Sequence, residues 1–435
     1  MKFSGLATLA LAATICASIC GCGDTFRPVA TPLPQPSPDP QSSRLAVFTS
    51  CVYDPTPSVQ DCSKSPTGAS GTSTDVNVSG DTVSGVTVVG RSPINALVES
   101  TLVVTVDRDS DTVTSYSHIT IGTSTTISGT VTTGLPSGAA PTSLVNANGI
   151  VYVTESGRNV VGVLGGSPLA ITAEVPVGTN PVNLTVLPNG KKIYVLNAGD
   201  NSVTVVDTSD NSVVATLSDP LASTPVWAVP SADSSHVYVV NRGSSNVSVI
   251  DATSDTIVAT LAVGSSPNYA IFDVHNQRVV VTNPGAGTSQ GSISVIVADA
   301  TSPLFLKPQG TTIVSVGINP RSVAALADGT RLYVANTGSN SVSVVNNLSL
   351  TVSKTIPVGT APVSISSDDE SAKVLVANRD SSNVSVINTS TDTELTDSSG
   401  NLVRIPAPQV DPNCVSTASS SCARLNPIFI AVGPG

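Results

Sequence analysis

One short run returns throughout the chain and constrains its fold more than anything else. It reads Tyr194-Val195-Leu196-Asn197, Tyr238-Val239-Val240-Asn241 and Tyr333-Val334-Ala335-Asn336, with Val281-Thr282-Asn283 and Leu375-Val376-Ala377-Asn378 as further copies. A few residues later a second alternating run follows: Ser202 to Asp207, Asn246 to Asp251 and Ser341 to Val345. An independent marker, Gly-x-x-Pro, keeps the same beat at Gly90, Gly138, Gly178, Gly264, Gly317 and Gly359, while Pro225 and Pro427 sit in phase without the glycine. A period of roughly 42 residues is the signature of repeated supersecondary units stacked into one body. The 435 residues are therefore read as one large repeat domain behind an N-terminal leader, not as several independent domains.

Within one period the pattern predicts strands. From Pro181 to Thr224 there are four short alternating runs, Val182 to Leu187, Lys192 to Asn197, Ser202 to Asp207 and Ser212 to Leu217, separated by turn-forming Asn, Gly and Asp. Tyr194, Leu196, Val203 and Val205 fall on alternating positions in runs that are apolar on both faces, so each sheet needs a neighbour on each side. A four-stranded antiparallel unit with that need is a propeller blade. The ends of the chain complement each other. Pro427 to Val432 reads as a first strand, and Arg44 to Ser50, Thr74 to Ser79 and Val83 to Val89 read as a second, third and fourth. One blade shared by both termini removes the open edges that a sheet protein must otherwise cap. The expectation is an all-β propeller of eight blades over residues 44–435, with seven as the alternative.

The Tyr-Val-x-Asn run, the Ser-Val-Ser-Val-Ile-Asp type of run and the Val-Gly-x-x-Pro closure resemble the YVTN-repeat β-propellers of bacterial and archaeal exported and surface proteins. The likeness spans nearly everything from Arg44 onward and is strongest for Pro181 to Asp251 and Pro320 to Asn388. It weakens where the Pro93 and Pro141 units carry Val106 and Glu155 at or near the asparagine position, and where the Pro267 unit is lengthened. The resemblance implies the propeller fold and an exported location. Some propellers of this repeat type are described as lactonase-like, but fold alone does not carry function.

Ahead of the repeats lies a leader. Lys2 precedes the apolar run Leu6 to Ile19, too short to span a bilayer comfortably, so residues 1–21 read as a secretion signal. Ile19-Cys20-Gly21-Cys22 resembles a lipoprotein lipobox, implying lipidation of Cys22; a plain signal peptide is the alternative. Residues 22–43, rich in proline, read as an extended tether. The cysteines left in an exported body are Cys51, Cys62, Cys414 and Cys422, an even number that implies disulfides. Three connectivities are open, and the local pairs Cys51 with Cys62 and Cys414 with Cys422 are preferred to a metal site, because neither pair has CxxC spacing and no histidine is adjacent.

The net charge of −11 argues against a nucleic-acid partner, which requires clustered lysine and arginine. Propellers place function at the mouth of the axial channel. There the loops carry Arg91, Arg158, Arg242, Arg321 and Arg379, a set suited to an anion such as a carboxylate or sulfated sugar, or alternatively solvated loop charges. Trp227 and Tyr269 each lie two residues after a marker proline, as does Phe429, where other units carry Asn95, Ser143, Asn183, Ser322 and Ser364. They offer a stacking wall for a sugar or flat ligand, or packing between blades. The repeated asparagines read as turn-shaping and the marker glycines as positive-φ positions.

His118, His236 and His275 fall in different units, and no catalytic grouping or metal-binding histidine cluster can be assembled. The Asp107-Arg108-Asp109-Ser110-Asp111 loop lacks the distal glutamate of an EF-hand. The reading is a lipid-anchored envelope propeller that binds or scaffolds a protein, cell-wall or carbohydrate partner as a single copy, with no cofactor and no catalytic residues assigned. A lactonase-like or other hydrolase, and a surface-layer or adhesion component, are the alternatives.

Overall fold

The computed structural model describes residues 45–51, 70–121, 124–368, 372–409 and 425–433. The leader, Cys22, Cys62, Cys414 and Cys422 lie outside the described residues. Eight antiparallel sheets follow one another along the chain, and they are numbered here as blades 1 to 8. Blade 1 has the spatial order Asn426–Val432, Leu45–Cys51, Gly71–Asn77, Thr82–Val89, so its inner strand comes from the C-terminal end of the chain and its other three from the N-terminal end. This is the composite closure expected from the sequence, with its third strand starting earlier, at Gly71. The inner strands of blades 2 to 8 begin at Pro93, Pro141, Pro181, Pro225, Tyr269, Pro320 and Pro362. Each inner strand contacts those of the blades before and after it, and Asn426–Val432 meets both Pro362–Asp368 and Pro93–Val98, completing the ring.

Packing follows from the two-faced strands. The second and third strands of a blade are almost wholly buried, as in Lys192–Asn197 and Ser202–Asp207, whereas the fourth, such as Thr351–Pro357, is largely exposed. Buried apolar residues gather into one cluster at every blade–blade interface, for example Tyr333, Val344, Ile365 and Val376 between blades 7 and 8. The blade 1–2 cluster is the smallest, holding only Leu45, Val47, Val103 and Tyr116 as fully buried members.

Two departures from the regular blade occur. In blade 2 the third and fourth strands extend to Thr112–Ile121 and Ser124–Gly134. In blade 8 the fourth position is shared by two short strands, Thr393–Glu394 and Arg404–Pro406, which pair successive parts of Asn383–Asn388.

The two sequence markers turn out to touch. Asn336 Nδ2 donates to Ser341 Oγ at 3.3 Å and Ser343 Oγ at 2.9 Å, stitching the second strand to the third, and Asn197, Asn241, Asn283 and Asn378 repeat the arrangement. A Cβ at Gly317 would lie 2.5 Å from the Asn336 carboxamide carbon, and Gly178, Gly264 and Gly359 face Asn197, Asn283 and Asn378 in the same way. The marker glycine is thus required by close approach of the asparagine. Among these glycines only Gly138 has positive φ. The left-handed residue is instead the one before the proline: Ser92, Ala140, Asn180, Thr224, Ser266, Asn319 and Ala361. In blade 2 the asparagine place belongs to Asp107, paired with Pro93, not to Val106.

The rim opposite the start of the inner strands is clamped between blades. Lys192 Nζ and Tyr194 Oη reach Asp255 of the next blade at 2.7 and 2.8 Å, and Arg331 and Tyr333 reach Asp392 at 2.7 and 2.5 Å.

Candidate functional site

The axial channel owes its lining to a β-bulge that repeats around the ring. Pairing between inner and second strands slips just after the marker proline, as between Pro181 and Asn183, Pro225 and Trp227, Pro320 and Ser322, Pro362 and Ser364. A bulge re-aims side chains. Here the extra residue and the one after it both border the channel. The first ring contains Ile94, Thr142, Val182, Val226, Arg321, Val363 and Ile428, and the second contains Asn95, Asn183, Trp227, Tyr269, Ser322, Ser364 and Phe429. Together they surround a cavity of about 350 Å³. A second cavity of about 410 Å³ shares Asn95, Asn183, Trp227, Tyr269 and Phe429, adds Ser143, and continues inward past Val145, Val229, Ile271 and Phe272.

The second ring is chemically two-sided. Trp227 and Tyr269, on neighbouring blades 5 and 6, form an aromatic corner with ring centroids 4.7 Å apart and planes tilted by 42°. Trp227 is held in place, its Nε1 donating to the Ala270 carbonyl at 2.9 Å, and Tyr269 packs against it. Desolvation pushes the Tyr269 phenol above its ordinary pKa, with the nearby Ser322 hydroxyl pulling the other way, so it is a neutral hydroxyl at physiological pH. The remaining arc is amide and hydroxyl. Asn95 and Asn183 both donate to Ser143 Oγ, at 3.4 and 3.2 Å. Ser322 and Ser364 accept from Ile365 N and Ile430 N of the following blades, at 3.3 and 3.2 Å. Most of this belt therefore also staples one blade to the next. Trp227 packs in the blade 5–6 interface and also lines the channel.

The expected crown of five arginines does not assemble. Arg91 donates to the Asp109 carbonyl. Arg158 is paired with buried Glu155 at 2.7 Å and with Glu174 at 2.6 Å, and Arg379 with Asp380 at 2.6 Å. The Arg158 guanidinium holds Glu174 below the usual carboxylate range, while burial outweighs it and raises Glu155. Arg242 is on the mouth loop, its backbone N–H bonded to Thr224 O, but it is outside the cavity lining; desolvation lowers its proton affinity. Arg321 alone of the five borders the channel, because it is the bulge residue of blade 7. It is exposed, and it is the one charged side chain among the described residues lining either channel cavity. The partners that remove the other arginines, such as Glu174 on an outer strand, give no signal in a linear repeat.

The aspartates of the blade 2 loop are also spoken for. Asp107 accepts from Thr105 at 2.9 Å and Thr114 at 2.6 Å, and Asp111 accepts from Gly138 N and Ala140 N at 2.8 and 2.7 Å. No cluster of potential metal ligands occurs among the described residues.

Fold and channel together define an eight-bladed β-propeller with a lined axial cavity. No family model matches the chain, and no curated protein matches it in sequence. Solved structures do. It is similar to AztD from Citrobacter koseri, at 12% identity over 89% of this chain and 98% of that one, with a TM-score of 0.59. It is also similar to the dihydro-heme d1 dehydrogenase NirN in complex with DHE, at 13% identity over 89% of this chain and 74% of that one, with a TM-score of 0.63. A putative 6-phosphogluconolactonase from Bacteroides uniformis matches at 15% identity over 74% of this chain and 98% of that one, with a TM-score of 0.54. At such identities the likeness is one of fold.

Proposed function

We propose that this protein is an exported, lipid-anchored binding propeller that takes a small ligand at the mouth of its axial channel and uses its blades as rigid support. The observation that carries this reading is the convergence of two bulge-aimed rings, with a fixed aromatic corner, on one cavity of about 350 Å³. A concave site with aromatic walls and a few fixed polar groups is the usual form of a small-molecule site. Among the described residues, the lining supplies asparagine, serine, threonine and one arginine but no carboxylate or imidazole, which supports binding over acid–base chemistry. Export rests on the 1–21 leader, anchoring on Cys22, and disulfide formation on the four remaining cysteines, all read from sequence.

A thermal-shift screen against sugars, lactones, divalent metals and anionic oligosaccharides tests the reading. A ligand at a hundred times its Kd stabilises by about 2.7 kcal/mol, which at an unfolding entropy of about 2.1 cal/mol/K per residue is a shift of about 3 °C for a chain of this size. The expected result is a shift lost in Tyr269→Ala, measured against that variant's own baseline. A shift that survives Tyr269→Ala unchanged would place the ligand elsewhere.

A further inference from the structure

We infer that the channel ligand is a neutral hexopyranose whose ring hydroxyls are all equatorial, covered on one face by the corner of Trp227 and Tyr269 and on the other by Phe429, with its hydroxyl rim against the amides and serines between them. The inference rests on the channel-mouth reading and adds the ligand class.

The placement of aromatic residues around the ring carries the argument. At the second-ring position blade 1 presents Phe429, blade 5 Trp227 and blade 6 Tyr269. Blades 1 and 5 stand opposite each other in a closed ring of eight, so Phe429 lies across the axis from Trp227. Between these apolar poles run two polar arcs, Asn95, Ser143 and Asn183 on blades 2 to 4 and Ser322 with Ser364 on blades 7 and 8. The repeat does not require the aromatics, since the other blades carry asparagine or serine at the same phase. Nor does charge enter the recognition. Arg321, the one charged side chain among the described lining residues, already has an interaction partner within the chain, so an anion would give up its hydration with no unengaged cation in the described lining to replace it.

Shape and polarity narrow the class further. A pyranose with only equatorial hydroxyls shows C–H bonds on both faces and hydroxyls around its rim, the same division as the ring of side chains. The aromatic corner is a shallow wedge, its planes tilted by 42°, so a puckered chair seats against both rings while a flat heterocycle lies flush with only one. The rim groups have hydrogen-bonding capacity left to use. Asn183, 5% exposed, donates to Ser143, and its side-chain oxygen has no hydrogen-bond partner among the described residues. Ser143 Oγ accepts from Asn95 and Asn183 and keeps its own hydrogen to give. Ser364 Oγ accepts from Ile430 N and retains a second acceptor position. The volume of about 350 Å³ admits a small saccharide at the mouth.

The chain contains one tryptophan, and it is Trp227, so intrinsic tryptophan emission reports on this site alone. The experiment titrates the protein with methyl β-D-glucoside, methyl β-D-galactoside, methyl β-D-glucuronide and caffeine, following Trp227 emission and calorimetric heat in parallel. The glucoside is expected to bind at least about tenfold tighter than the galactoside, whose axial 4-hydroxyl turns an unpaired polar group onto one aromatic wall, and at least about tenfold tighter than the glucuronide, whose charge finds no partner. Phe429→Asn installs the residue that blades 2 and 4 carry at this phase. It should weaken the glucoside, offer the axial hydroxyl a partner and bring the glucoside-to-galactoside ratio close to one. Equal affinity for glucoside and galactoside in the wild type, tighter binding of the glucuronide or of caffeine, or a ratio unchanged in folded Phe429→Asn would each overturn the neutral-hexopyranose assignment while leaving the channel a ligand site. The wild-type comparisons decide the assignment even without the variant. If none of the four produces heat or an emission change, the assignment fails, and a companion screen with no stabilising compound of any class would remove the channel-mouth reading as well.

Discussion

Asp75 sits on the third strand of blade 1 with no exposed surface, in the thinnest of the blade interfaces. The Tyr116 hydroxyl of blade 2 donates to its Oδ1 at 2.6 Å, and Tyr116 is in turn hydrogen-bonded to Ser73 at 2.8 Å. Its Oδ2 has no hydrogen-bond partner among the described residues. Desolvation therefore raises the carboxyl from 3.8 to about 6, against the opposing pull of Tyr116. The sign follows from linkage. Between about pH 4 and pH 6 the folded protein keeps a proton that the unfolded chain has released, so stability falls as pH rises through that window. A shift of about two units corresponds to about 3 kcal/mol, fully present below pH 4 and lost above pH 6. Asp75→Asn keeps an acceptor for Tyr116 and removes the titration. Melting curves of wild type and variant from pH 4 to pH 8 should show wild type losing about 2–4 °C relative to the variant as pH rises. Parallel curves, or wild type gaining on the variant with rising pH, would show that the buried Asp75 carboxyl is not a desolvated acid.

Two further outcomes follow from the architecture. Gly317→Ala places a methyl against the Asn336 carboxamide, at a distance of 2.5 Å before relaxation, and should cost about 1–3 kcal/mol in urea unfolding. With Asn336→Ala in the same chain the penalty should shrink by at least about 0.5 kcal/mol, and strict additivity would show that the two markers are independent. Ile430, 3% exposed on the closing strand, should cost about 2–5 kcal/mol when replaced by alanine, and deletion of residues 426–435 should cost more; a deletion variant melting with the intact protein would contradict closure through blade 1.

Much of this was legible in the residues. Period, strand alternation and unmatched ends led to eight blades and a shared closure, because each blade needs the same apolar faces and the same turns. The ring containing Trp227, Tyr269 and Phe429 was visible as a phase relative to proline. Its inward aim was not, since the bulge that turns it is a property of strand pairing. The glycines were misread for a related reason: their neighbour is an asparagine on the adjacent strand, while the left-handed position falls on the varied residue before proline. The arginine crown failed because only Arg321 directly follows a marker proline and so takes the bulge position, whereas Arg242 and Arg379 follow the asparagines that end the second strands and Arg158 is drawn to Glu174 of an outer strand.

Hydrogen–deuterium exchange with and without a saturating amount of the compound giving the largest thermal shift tests the channel-mouth site most directly. Slower exchange is expected in peptides covering 225–230, 269–273 and 320–325, which carry the aromatic corner and Arg321. Protection confined to outer strands such as Thr351–Pro357, or to the clamped rim around Asp255 and Asp392, would place binding away from the channel and contradict the account.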